Sequence, residues 1–211
     1  SLTLNIKGLC EGEEKSVFKT INLDTRMYER LKMFVHAEAL NDLVIDPGEM
    51  SVFVRLGSDF KENYYEYEIP LLMSDPDNLP TATNTTEYKL EVWRPENEFD
   101  VALKDLVAVK QRRNQVDFSP TEEYVETVEN DNPTLAHQIK VKGNPNLGYV
   151  KIAMIGVRNR RGGETLPLST EVWLNEFRLT GLNERGGVAA LARMDVQLAD
   201  LGNLTVSGNY S

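Results

Sequence analysis

The chain is a succession of short runs in which apolar and polar residues alternate. Leu2 to Ile6 alternates, and Leu31, Met33, Val35 and Ala37 alternate with Lys32, Phe34, His36 and Glu38. Val52, Val54 and Leu56 form the next face, followed by Tyr65, Tyr67 and Ile69, then by Tyr88, Leu90 and Val92. A period of two sends successive side chains to opposite faces, so each run predicts a β-strand. Turn chemistry separates the runs at Asp46-Pro-Gly48, at Gly57-Ser-Asp59 and through the polar stretch from Ser74 to Thr86. Tyr149 to Val157 is nearly apolar throughout, as for a central strand covered on both faces. One stretch changes period: Phe99, Leu103, Leu106, Val107 and Lys110 share a helical face, which predicts one helix over 97–113 closing one side of the fold. The acidic stretch from Ser119 to Pro133 predicts a solvated loop, and Arg158 to Gly163 a basic hairpin tip. Short strands with such breaks predict a mostly β protein, an antiparallel sandwich with one helix.

Near the C-terminus the alternation is cleaner. Ala190, Ala192, Met194, Val196 and Leu198 are apolar; after Asp200-Leu201-Gly202 the pattern resumes with Leu204, Val206, Gly208 and Tyr210. A three-residue connection ending in Gly predicts a hairpin with Leu198 opposite Leu204, Val196 opposite Val206 and Met194 opposite Gly208. A lone hairpin is marginal in water, so its apolar side needs cover. It is either the edge of a soluble sandwich or the first hairpin of an outer-membrane barrel with a wet lumen face. The alternation leaves both open. The start at Ser1 and the unfinished pattern at Ser211 are expected of a piece of a longer protein.

Three units follow: a sandwich module over 1–180, a joint over 181–187 and the amphipathic hairpin over 188–211. Trp173, Phe177 and Leu179 alternate against Val172 and Leu174 and are expected to pack the last strand into the sandwich. Gly181, Gly186 and Gly187 would let the chain turn out of it.

Composition narrows the function. Lys and Arg total 23 against 33 Asp and Glu, a net charge of -10, which excludes nucleic acid as a partner bound through its phosphates. The single cysteine, Cys10, rules out an internal disulfide framework, and no apolar run is long enough for a membrane helix. Catalytic chemistry finds no foothold. His36 and His137 are the only histidines; no nucleophile elbow, phosphate loop or zinc-binding spacing is present, and no metal or cofactor is expected. Glu66 and Glu68 share a strand face, read as a solvated face rather than as the two facing acids that glycoside hydrolysis requires. Tyr65 and Tyr67 read as core with Tyr64 covering the opposite face. The alternative is a carbohydrate-binding module, a glycan stacking on Tyr64 or Trp93.

The segment from Trp173 to Ser211, with its W-L-N-E-F-R-L start, short charged joint, double glycine, Ala-rich strand and L-A-D-L-G turn, resembles the SprA/Sov family. Upstream, "FKTINLDTRMYERLKMFVHAEAL", "VFVRLGSDFKENYYEYEIPL" and "FDVALKDLVAVKQRRNQ" are also similar to it, so the resemblance covers the whole chain. That family is the outer-membrane translocon of the type IX secretion system of Bacteroidetes, related to gliding motility. The resemblance implies a non-catalytic module at the cell surface or in the periplasm, capping or lining a wide pore. Its partners would be other segments of the same barrel, secreted cargo and accessory secretion proteins. The order of elements also looks like a galactose-binding-type jelly roll, a likeness of fold that carries no proof of sugar binding. Exposed acidic loops and Arg158 to Arg161 are candidate partner contacts.

Overall fold

Each alternating run between Leu2 and Ile69 forms a strand, and the strands sort into two antiparallel sheets. The structure, a computed structural model, describes residues 2–40, 44–75, 77, 79–128, 133–163 and 166–182, together with the backbone of 190–198 and 202–210. The elements in order are β1 (Leu2–Leu9), β2 (Glu14–Leu23), β3 (Arg30–Ala39), β4 (Met50–Gly57), β5 (Tyr64–Pro70), α1 (Thr86–Val92), β6 (Phe99–Ala102) and α2 (Leu103–Gln115). They continue with β7 (Tyr124–Val128), β8 (His137–Lys142), β9 (Val150–Asn159), β10 (Leu168–Thr180), β11 (Ala190–Leu198) and β12 (Gly202–Tyr210). A four-stranded sheet has the order β1-β10-β3-β6, and a six-stranded sheet the order β2-β9-β4-β5-β8-β7.

The core lies between the sheets. Leu31, Met33, Val35 and Ala37 of β3 and Val172 and Leu174 of β10 meet Val52, Val54 and Leu56 of β4 and Tyr65, Tyr67 and Ile69 of β5 in one cluster. The rings of Phe99 in β6 and Tyr67 in β5 stand 5.6 Å apart, edge to face, across the two sheets. Where the smaller sheet ends, α2 packs against β8. Leu103, Leu106 and Val109 share its buried face, as a spacing of three residues requires. The Arg113 guanidinium fastens the end of α2 by donating to the Gly143 carbonyl at 2.7 Å.

Several expectations are corrected. The stretch predicted as one helix is divided: Pro95–Asn97 is a 3-10 turn, Phe99 lies on β6, and α2 begins at Leu103. Phe99-Asp100-Val101 pairs with Met33-Lys32-Leu31, and Asp100 accepts from Arg30 and from Lys32, which holds this segment extended. Tyr88, Leu90 and Val92 belong to α1, not to a strand. Thr85 caps that helix by accepting from the Tyr88 amide at 3.1 Å, and three alternating positions are too few to outweigh a cap. Part of the expected acidic loop is β7, paired with β8. Finally, β11 and β12 pair with Leu198 opposite Gly202, Val196 opposite Leu204 and Met194 opposite Val206. That is a slip of two residues from the expected register, with Gly202 in the strand. An even slip leaves each residue on the face it was assigned.

In β10 a bulge separates the two halves. The register shifts between Asn175 and Arg178, and Glu176 has φ of 53°. Before the bulge Trp173 pairs with the outward-facing His36; after it Leu179 pairs with the inward Leu31. Trp173, Phe177 and Leu179 therefore do not share a face. Val172 and Leu174 point into the core, Phe177 is 41 % exposed, and Leu179 packs on the edge of the core.

Candidate functional site

Two surfaces stand out, one for buried charge and the other for exposed apolar groups. The first is the outward face of the six-stranded sheet. Alternation that sends Val52, Val54 and Leu56 inward sends Ser51, Phe53 and Arg55 outward, and on β5 it sends Tyr64, Glu66 and Glu68 outward. Antiparallel pairing sets Arg55 opposite Glu66, and Glu66 opposite Lys140 of β8. Glu66 is fully buried and Glu68 is 1 % exposed, so this face is not solvated as expected.

The carboxylates are saturated with cations. Glu66 meets Arg55 at 2.5 Å, Lys140 at 3.0 Å and Arg158 at 3.1 Å. Glu68 meets Lys140 at 2.5 Å, accepts from the Ser51 hydroxyl at 2.5 Å and also pairs with Arg158. Arg158 reaches on to Glu14 at 2.5 Å. The Arg55 and Arg158 guanidiniums stand 5.2 and 4.8 Å from the centre of the Phe53 ring. Burial acts to raise the Glu66 carboxyl, but Lys140, Arg158 and Arg55 outweigh it and hold the group below its ordinary range. Burial likewise opposes the charge on Arg158, and Glu66 and Glu68 overcome it, raising that group. A general acid needs a raised carboxyl, so Glu66 is tuned away from acid catalysis. Of the residues expected at an exposed basic tip, Arg158 belongs to this network and Arg161 pairs with Glu49. The signal for all this lay in the hairpin: folding β4 onto β5 about Gly57-Ser-Asp59 sets the arginine against the glutamate.

Residues singled out as sugar platforms are engaged elsewhere. Tyr64 is 5 % exposed, has the Arg55 guanidinium 4.2 Å from its ring and donates to Glu123 at 2.6 Å. Trp93 packs 6.3 Å from Phe34 and 6.2 Å from His36 on the outer face of the smaller sheet. There His36 is fully buried, with one ring nitrogen 2.6 Å from the Val92 carbonyl and the other 2.8 Å from Glu38, a clasp between α1 and the sheet. Phe99, Leu103 and Leu106 are all buried in the core cluster. Gly181 has φ of 69°, a conformation that favours glycine; Gly186 and Gly187 lie outside the described residues.

The second surface is a cleft of about 730 Å³ where the sandwich opens between β1 and β2. Leu2, Val17, Ile21, Ile155, Leu174 and Phe177 line it. Leu2 is 39 % exposed, Val17 41 %, Phe177 41 % and nearby Leu182 52 %. Both flanking strands are sheet edges, so their outer backbone groups are unpaired with any strand among the described residues. Apolar area collected in one place, as opposed to scattered singly, marks a surface that something covers.

The fold and its surfaces define a mostly β module, an antiparallel sandwich with two α-helices among its described residues. The chain belongs to the SprA_N family, described as motility related/secretion protein, which matches residues 1–211. It is the family that the C-terminal pattern resembles. Comparison with curated proteins gave no match. No helix among the described residues is long and apolar enough to cross a membrane, a fact silent on membrane barrels.

Proposed function

We propose that this chain is a non-catalytic docking module of an outer-membrane protein-export translocon. On this reading residues 1–180 form a jelly-roll-type sandwich that caps or lines the pore, residues 181–187 are its joint, and residues 188–211 open a stretch of barrel wall. The observation that carries the proposal is the apolar cleft between the free edges of β1 and β2. Its wall includes Phe177 and Leu179, from which the chain runs on through Leu182 toward β11. A module with this cleft meets its neighbours through the open side. The sealed ionic face keeps the six-stranded sheet rigid and needs no partner. The antiparallel register of β11 and β12, with alternating apolar positions, supports the barrel-wall part. Membership in a motility and secretion family supports the export role.

The test is made in cells carrying the whole protein. Val17→Glu and Phe177→Glu together should abolish cargo export while the protein still reaches the outer membrane. The same pair in the 211-residue chain should leave thermal stability within about 0.5 kcal/mol, since both positions are surface sites. Undiminished export would overturn the docking role.

A further inference from the structure

A separate groove runs along α2, and it has the opposite character to the apolar cleft. It encloses about 810 Å³ between the helix and the segments around Arg26 and Asn146. That is the size of an ordinary ligand site. Its charged lining is Arg26, Arg30, Lys104 and Lys110 against Glu29 alone, although the chain as a whole carries a net charge of -10. Arg26 is satisfied by Asp24 and Arg30 by Asp100. Lys110 donates to the Pro145 carbonyl at 2.8 Å, which uses one of its three hydrogens and aims the ammonium group into the groove. Burial lowers the Lys110 ammonium from its ordinary range, with Arg113 adding to the shift, so an anion beside it would relieve a desolvated charge. Lys104 and Gln111 have no polar partner among the described residues. The Asn114 side chain uses its oxygen on Arg113, and its amide hydrogens have no partner among the described residues. The floor is apolar: Leu103, Val107 and Leu147.

We propose that this groove binds an extended acidic peptide, its carboxylates pairing with Lys104 and Lys110 and its main chain bonding to the amides of Gln111 and Asn114. From Leu103 to Asn114 the helix spans about 17 Å at 1.5 Å per residue. An extended chain covers that length in about five residues. Alternate side chains of such a peptide would reach the cationic rim and the apolar floor by turns, the pattern that the lining presents. This site goes beyond the docking role above and does not rest on it: the groove can be occupied whether or not the cleft is.

The probe is a capped Glu-Leu-Glu-Leu-Glu pentapeptide titrated into the 211-residue chain, followed by calorimetry and by amide chemical shifts. Binding should shift the amides of Val107 to Asn114 and of Leu147, and weaken as salt is raised. The Gln-Leu-Gln-Leu-Gln control and the variant Lys104→Gln should each bind roughly tenfold more weakly, the effect of losing a charge pair across an interface. Lys104 and Gln111 are exposed, so Lys104→Gln and Gln111→Ala keep the fold intact and the reading clear. Equal affinity for the two peptides, shifts confined to other surfaces, or no binding at all would each overturn the proposal.

Discussion

The outer face of the six-stranded sheet and the cleft beside it invert the usual distribution of residues, in opposite ways. On the face, Glu66, Glu68, Arg55 and Lys140 are all under a tenth exposed; at the cleft, Val17 and Phe177 are both 41 % exposed. The charges are self-sufficient, because every carboxylate has several cations within reach. The apolar groups are not, because the smaller sheet stops at β1 and nothing among the described residues lies over the opening. Among the described residues, one region is finished and the other is not.

If the face is a closed network, breaking it should be the most damaging change available. Glu66→Ala leaves Arg55, Lys140 and Arg158 facing one another in a buried site, and should cost about 3–5 kcal/mol in urea unfolding. A loss below 1 kcal/mol would show that the charges are solvated. Acid tests the same region. Glu66 is held below its ordinary range by its cations. Asp59, in the turn leading into β5, sits at about 2 against an ordinary 3.8: burial would raise it, but the amides of Glu62, Lys61 and Asn63 and the Asn63 side chain outweigh burial. Lowered carboxyls mean that the folded state binds fewer protons than the unfolded one, so their stabilisation is complete above the unfolded pKa and fades as pH falls through the folded values. Melting temperature should hold near neutrality and drop from about pH 5 toward pH 2. A flat profile through that window would count against the network.

A smaller effect is expected at Gly156, which leaves room for the ring beneath the guanidiniums. A Cβ there would stand 2.5 Å from the Phe53 ring and 2.8 Å from the Lys15 carbonyl. Gly156→Ala should cost about 1–3 kcal/mol by forcing the ring aside. The smallest change in stability belongs to the cleft. Val17→Ser with Phe177→Ser should move unfolding by no more than about 0.5 kcal/mol. It should nevertheless reduce binding of an apolar dye. A large loss of stability would mean that the cleft is core after all.

The same contrast marks what could be read from residues alone. β3, β4 and β5 were legible because their inward faces obey a period of two over three or four positions. The partner face of β4 and β5 was misread because burial there depends on long side chains from β8 and β9, which come from far along the chain. The bulge at Glu176 puts Trp173, before it, and Leu179, after it, on opposite faces, since one extra residue reverses the face of everything that follows, so a single alternation could not place both. α1 and β6 each turned on a local hydrogen bond or ion pair, at Thr85 and Asp100, that outweighed a short periodicity. The cleft had no sequence signal of its own: Val17 and Phe177 look like core residues, and only the arrangement of strands leaves them uncovered.

The contrast can be measured directly by hydrogen–deuterium exchange of the isolated 211-residue chain and of the same residues within the export assembly proposed above. Amides of β1 and β2 should exchange quickly in the isolated chain and become protected in the assembly, while β4 and β5 stay equally protected in both. Fast exchange of β1 and β2 within that assembly would contradict the account, because the open side of the sandwich would then have no neighbour to cover it.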